Sequence, residues 1–156
     1  MVTVESLKTS VLFCELEDEA VQRVIPLCRE ERFDKGTIVF SKGDEAKTLF
    51  ILQEGKISLE YEICPQPDAC QDTRILLDRP GDVMGWSSLV KPRRVTASAY
   101  CITDVRVIAI DSKGMNELME QDSHIGFVVM KELAGMINYR LREAKDLHLP
   151  RIMGVL

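Results

Sequence analysis

The spacing of apolar residues changes twice along the chain. From Leu16 to Leu27 they fall at Leu16, Ala20, Val21, Val24 and Leu27, the spacing of one helical face, with acids in its first turn. This predicts a short N-terminal amphipathic helix that Pro26 ends or bends. From Arg29 to Ile110 the pattern becomes short runs rich in Val, Ile, Leu, Phe and Thr: Glu31 to Phe33, Thr37 to Phe40, Thr48 to Gln53, Lys56 to Ile63, Arg74 to Leu77, Arg94 to Tyr100 and Asp104 to Ile110. Turn signals at Lys35-Gly36, Lys42 to Asp44, Glu54-Gly55 and Pro80 to Asp82 separate them. Many short strands at regular intervals predict an antiparallel β-sandwich or barrel. The segment Ile63 to Asp72 contains Pro65 and Pro67 and has no period, which predicts the longest hairpin loop.

After Asp111 the helical period returns. Met115, Leu118 and Met119 predict a short helix, and a longer one starts near Asp122 or Ser123, either of which suits an N-cap. Along the longer helix Met130, Leu133, Ile137, Leu141 and Ala144 form a seam of the kind that pairs with another helix. Pairing into a homodimer is expected; burial of that seam against the chain's own barrel is the alternative. The expected plan is mainly β with flanking α. One domain covers residues 1–148, made of a helix and barrel over 12–110 and C-terminal helices over 111–148, with a tail at 149–156.

Composition narrows the chemistry. A chain of 156 residues with 46% hydrophobic content suits a single globular domain. Its formal net charge of -5 repels a phosphate backbone, so direct binding to nucleic acid is not expected. The N-terminal stretch lacks a basic leader and its apolar run is too short for a membrane span, which predicts a cytoplasmic protein with no membrane partner. The cysteines at positions 14, 28, 64, 70 and 101 are odd in number and contain no C-x-x-C pair, so reduced thiols are expected. A disulfide or redox pair between Cys64 and Cys70, which share one polar loop, is the alternative. The only histidines are His124 and His148, both in the helical tail, too few and misplaced for the metal site of a cupin-type enzyme. A haem or iron-sulfur sensor fails on the same ligand count. The chain is therefore read as a non-enzyme without a resident cofactor.

Several spaced motifs then agree. Gly36-Thr-Ile-Val-Phe-Ser-Lys-Gly43-Asp44, the run LFILQEGKI ending at Ile57, and Pro80-Gly81-Asp82 resemble the β-roll of cyclic-nucleotide-binding domains over residues 12–145. The resemblance implies an antiparallel double-stranded β-helix, or jelly roll. It also implies an anion cassette, a turn like F-G-E-x-A-L followed by P-R-x-A-T. This chain carries Met84-Gly85-Trp86-Ser87-Ser88-Leu89 and then Pro92-Arg93-Arg94-Val95-Thr96. Glycine permits close backbone approach, free amides at the turn point at an anion, and arginine offers a forked charged contact. Gly85, Trp86, Ser87, Ser88, Arg93, Arg94 and Thr96 are thus the ligand-binding residues the resemblance implies.

This chain departs from the family pattern at Trp86, which stands where the family places a ribose-binding glutamate and supplies an N–H donor but no acceptor. On the last helix, Ala144 and Lys145 replace base-facing hydroxyl residues. The implied function is a regulatory module that senses a small anionic ligand, cyclic AMP or cyclic GMP being the candidates, and signals through its C-terminal helix. The alternative is a degenerate roll that serves as a protein-interaction scaffold. Transcription factors of this kind continue into a helix-turn-helix domain; with the sequence ending at Leu156, the expectation is action through a protein partner, or a piece of a longer chain.

Overall fold

A computed structural model describes residues 1–148, without the side chains at positions 63, 65 and 144–148. The chain begins with α1 (Val4–Lys8) and α2 (Asp18–Val24), the latter closed by a 3-10 turn at Ile25–Leu27. Eight strands follow: β1 (Cys28–Phe33), β2 (Ile38–Phe40), β3 (Thr48–Glu54), β4 (Ile57–Gln66), β5 (Ala69–Leu77), β6 (Val83–Met84), β7 (Ser98–Cys101) and β8 (Val105–Asp111). A 3-10 turn at Trp86–Leu89 lies between β6 and β7, and the chain continues with α3 (Ser112–Gln121) and α4 (Ser123–His148). The strands form two antiparallel sheets, ordered β1-β8-β3-β6 and β2-β7-β4-β5. This is the β-roll the motifs imply.

Alternation along β3 and β8 builds two cores at once. Leu49, Ile51, Ile108 and Ile110 face the helices and pack with Leu7, Phe13, Val24, Met115, Ile125 and Val129. Their neighbours Phe50, Leu52, Val107 and Ala109 face into the roll with Ile57, Leu59, Leu77 and Met84. Successive strand side chains point to opposite faces, so a strand apolar at every position is one covered on both sides. α1 adds to the predicted elements; its sequence signature is the reciprocal cap between Thr3 and Ser6. Asp122 settles the start of α4, since its Oδ1 accepts from the amides of His124 and Ile125 at 3.1 and 3.3 Å.

The hairpin differs from expectation. Instead of a long loop over Ile63 to Asp72, β4 and β5 stay paired to Gln66 and Ala69, leaving only Pro67 and Asp68 as the turn. β4 pairs with β7 only as far as Glu60, so beyond it the strand has no second neighbour and tolerates Pro65 beside a register shift. Reduced thiols are corrected for one pair: Cys64 and Cys70 are joined by a disulfide across these strands, while Cys14, Cys28 and Cys101 are free. The predicted run Arg94 to Tyr100 is a strand only from Ser98; before it, an isolated bridge joins Arg94 to Glu45.

α4 carries two apolar stripes. Ile125, Val129 and Leu133 are buried against the domain, whereas Phe127, Ile137 and Leu141 are exposed. Leu133 therefore leaves the predicted seam, Met130 is half-buried against the domain core, and the outward stripe runs through Phe127, Ala134, Ile137 and Leu141. The side chains of Ala144 and Lys145 lie outside the described part, as does the tail at 149–156. No helix among the described residues is long and apolar enough to cross a membrane.

Candidate ligand site

Strand β6 ends at Met84, and Gly85 follows with a left-handed φ of 76°. A Cβ at this position would stand 2.7 Å from the carbonyl oxygen of Thr48 on β3, so the backbone passes β3 only as glycine. The turn Trp86–Leu89 starts there. Ser88, fully buried, donates its hydroxyl to the Gly85 carbonyl at 2.7 Å. Asn116 of α3 donates Nδ2 to the Ser88 carbonyl at 3.2 Å. The cassette is thus clamped between β3 and α3.

Inside the roll, Gly85, Trp86, Ser87 and Thr96 line a cavity of about 20 Å³ together with Phe40, Leu59 and Tyr61. That space suits a single water and is far smaller than a nucleotide. Trp86 is half-buried, and the guanidinium carbon of Arg140 from α4 lies 4.3 Å from its ring centre, a cation–π contact. Arg140 is buried and donates Nη2 to the Val83 carbonyl. Burial lowers its pKa from the ordinary arginine value, against the upward pull of Tyr61 and Asp82. Burial likewise pushes the Tyr61 phenol up, opposed by the Arg140 charge.

Arg93 stands elsewhere. Its backbone is left-handed, with φ 57°, held by its amide donating to the Val90 carbonyl at 2.9 Å and its carbonyl accepting from Ala46 at 2.8 Å. It is exposed and, with Ser88, lines a separate depression of about 460 Å³ whose rim carries Lys47 and Lys113 as well as Glu45, Asp111, Glu117 and Glu120. Arg94 donates Nη1 to the Gly43 carbonyl at 3.1 Å, which pins it to the preceding turn. Of the implied ligand residues, Gly85, Trp86, Ser87 and Thr96 therefore share one cavity, Ser88 and Arg93 border another, and Arg94 borders neither.

Tyr61 and Arg140 are the residues of this site that sequence reasoning passed over. Tyr61 follows Ile57 and Leu59 on the inward face of β4. Arg140 falls on the stripe Ile125, Val129, Leu133, Met136, Arg140, where a guanidinium at a core position was the available signal. Among the described residues, Glu62, Cys64 and Cys70 are brought together as metal-ligating types, but the two sulfurs are tied in the disulfide.

A roll with a glycine-opened turn between β6 and β7, capped by a helix, is the build of a small-ligand sensor domain. Residues 30–122 match the cyclic nucleotide-binding domain, and the chain belongs to that family. It is 23% identical over 150 residues to a CRP-like cAMP-activated global transcriptional regulator of Mycobacterium tuberculosis, covering 96% of this chain and 65% of that protein. The Thermus thermophilus catabolite activator protein superposes with a TM-score of 0.70 at 27% identity, over 92% of this chain and 63% of that one. A cyclic nucleotide-binding domain from Methylobacillus flagellatus, 16% identical, shares the fold with a TM-score of 0.79 over 95% of this chain and 83% of its own.

Proposed function

We propose that this chain is a non-enzymatic regulatory module, acting in the cytoplasm, whose roll takes a small anionic ligand and passes its occupancy to α4. A cyclic nucleotide is the first candidate. The observation that carries the reading is the cassette itself: a glycine-only turn at Gly85 opening the 3-10 turn Trp86–Leu89 into the roll, in a member of this family. The proposed ligand residues are Gly85, Trp86, Ser87, Ser88, Arg93, Arg94 and Thr96. Admission of a nucleotide requires Trp86 to move and Arg93 to swing inward, since the cavity is about 20 Å³. The outward stripe Phe127, Ala134, Ile137 and Leu141 repeats at steps of seven, three and four and supports pairing of two copies through α4. The net charge of -5 favours a protein partner over direct contact with nucleic acid.

Calorimetric titration with cyclic AMP and cyclic GMP tests the ligand. Saturable binding is expected, weakened about tenfold or more by Arg93→Ala through loss of a charge-assisted contact. Absence of both heat and thermal shift with either nucleotide rejects the nucleotide reading. A second reading, a roll kept as an interaction scaffold, is favoured by the small size of the cavity and by Trp86 in the cassette. On that reading Arg93→Ala leaves dimerisation and stability unchanged and no nucleotide binds.

A further inference from the structure

Arg140 is 8% exposed, a guanidinium on the buried stripe of α4. A charge removed from water needs a counter-charge and partners for its donors. Nη2 has the Val83 carbonyl, but Nη1 is buried without a hydrogen-bond partner. Among the described residues no carboxylate stands within ion-pair distance of it. Asp82 and Glu143 act on it only through space, and Asp82 already accepts from the amides of Asp78 and Arg79 at 3.1 and 3.0 Å. Its remaining neighbour, Trp86, presents a π face and an N–H, neither of which is an anionic acceptor.

We propose that Arg140 is a second residue, in addition to Arg93, that receives an anionic oxygen of the ligand, phosphoryl or carboxylate, and that the ligand draws the guanidinium off Trp86 and so frees α4 from the cassette. The inference rests on reading the roll as an anionic-ligand site. Arg140 is a buried cation whose ring partner Trp86 lines the roll cavity, whereas Arg93 lies exposed on the other depression. A charge-assisted hydrogen bond to an oxyanion satisfies the orphaned Nη1 and neutralises the charge, which the stack on Trp86 does not. Because Trp86 lines the roll cavity of about 20 Å³ and carries Arg140 on its ring, widening that cavity and loosening α4 are one movement. Specificity then turns on whether a ligand can place an oxyanion beside the Trp86 ring.

Trp86 is the sole tryptophan, so its emission reports the stack directly. Wild type, Arg140→Met and Arg93→Met are titrated with cyclic AMP, cyclic GMP, inorganic phosphate and succinate, followed by Trp86 fluorescence and thermal shift. At least one probe is expected to change the emission saturably and to raise the melting temperature of the wild type, with Kd weakened about tenfold or more in Arg140→Met. Unliganded Arg140→Met is expected to be at least as heat-stable as wild type, because an unpaired buried charge is removed. If Arg140→Met does not fold, Arg140→Lys, which keeps the charge without the fork, is held to the same criterion of weakened binding. A cyclic nucleotide bound with unchanged Kd in the Arg140 variant overturns this inference and leaves the nucleotide reading standing. Phosphate or succinate bound through Arg140, with no response to either nucleotide, upholds the inference and removes that reading. No response to any of the four probes overturns both.

Discussion

Leu133 and Ala134 are adjacent on α4 and, about 100° apart around the helix, fall on different surfaces: Leu133 is 2% exposed in the core between α4 and the roll, while Ala134 lies on the outward stripe. One residue of rotation thus separates the surface that holds the helix to its own domain from the exposed surface on which pairing is proposed. Leu133→Ala is expected to destabilise the fold by about 2–5 kcal/mol by opening a cavity, measured as a lower urea midpoint at unchanged slope. Ile137→Glu, on the exposed stripe, is expected to leave the midpoint of the monomer within about 0.5 kcal/mol. It should instead shift light-scattering mass from dimer toward monomer. A wild type that is monomeric throughout the micromolar range removes the pairing proposal.

Gly85→Ala meets both a positive φ and the Thr48 carbonyl at 2.7 Å. Backbone, not a flexible side chain, stands in the way. The expected cost is roughly 1–3 kcal/mol, and the turn carrying Trp86 should shift, visible as a change in tryptophan emission of the folded variant. A variant with wild-type stability and emission contradicts this close approach.

The disulfide closes a loop with a sequence separation of 6 at the exposed tip of the β4–β5 hairpin. Short-loop closure contributes at most roughly 2 kcal/mol. The tip lies away from both cores, so reduction or a Cys64→Ser, Cys70→Ser pair is expected to lower the melting temperature by a few degrees and leave the roll intact. Thiol titration of the unfolded, unreduced protein should count three free thiols, those of Cys14, Cys28 and Cys101, and all five only after reduction.

Burial pushes the Cys28 thiol up to about 12. Its folded pKa lies above the unfolded one, so its contribution is fully present below about 8.5–9 and is lost as pH rises toward the folded value. In that window the unfolded chain has released the proton that the folded chain retains, and stability falls with pH. Cys28→Ala is expected to flatten that part of the stability-against-pH curve. At pH 8 Cys28 should also react with a thiol reagent more slowly than exposed Cys14. Equal rates would contradict the burial argument.

Much of the roll is legible before folding. Apolar runs such as Leu49 to Leu52 and Val107 to Ile110 mark strands because each side chain in them has a core to enter, and glycine at Gly85 marks a turn because no other residue passes Thr48. The paired hairpin tip was hidden, since Pro65 and Pro67 are local loop signals, and a strand without a second neighbour beyond Glu60 is a fact of sheet order. Local spacing also placed Leu133 in the outward seam, for the same apolar face can serve either surface.

The cassette residues Gly85, Trp86 and Arg93 and their order are properties of the sequence by itself, as are the alternation that makes the roll and the period that makes α4. Tertiary structure alone decided that Trp86 faces the roll while Arg93 turns outward, and that Arg140, 54 residues after Trp86, comes to lie on its ring. The physical reason is range. Turn chemistry and periodicity act over a few residues, whereas the direction of Arg93 depends on a φ held by Val90 and Ala46, and the stack depends on how α4 packs across two sheets.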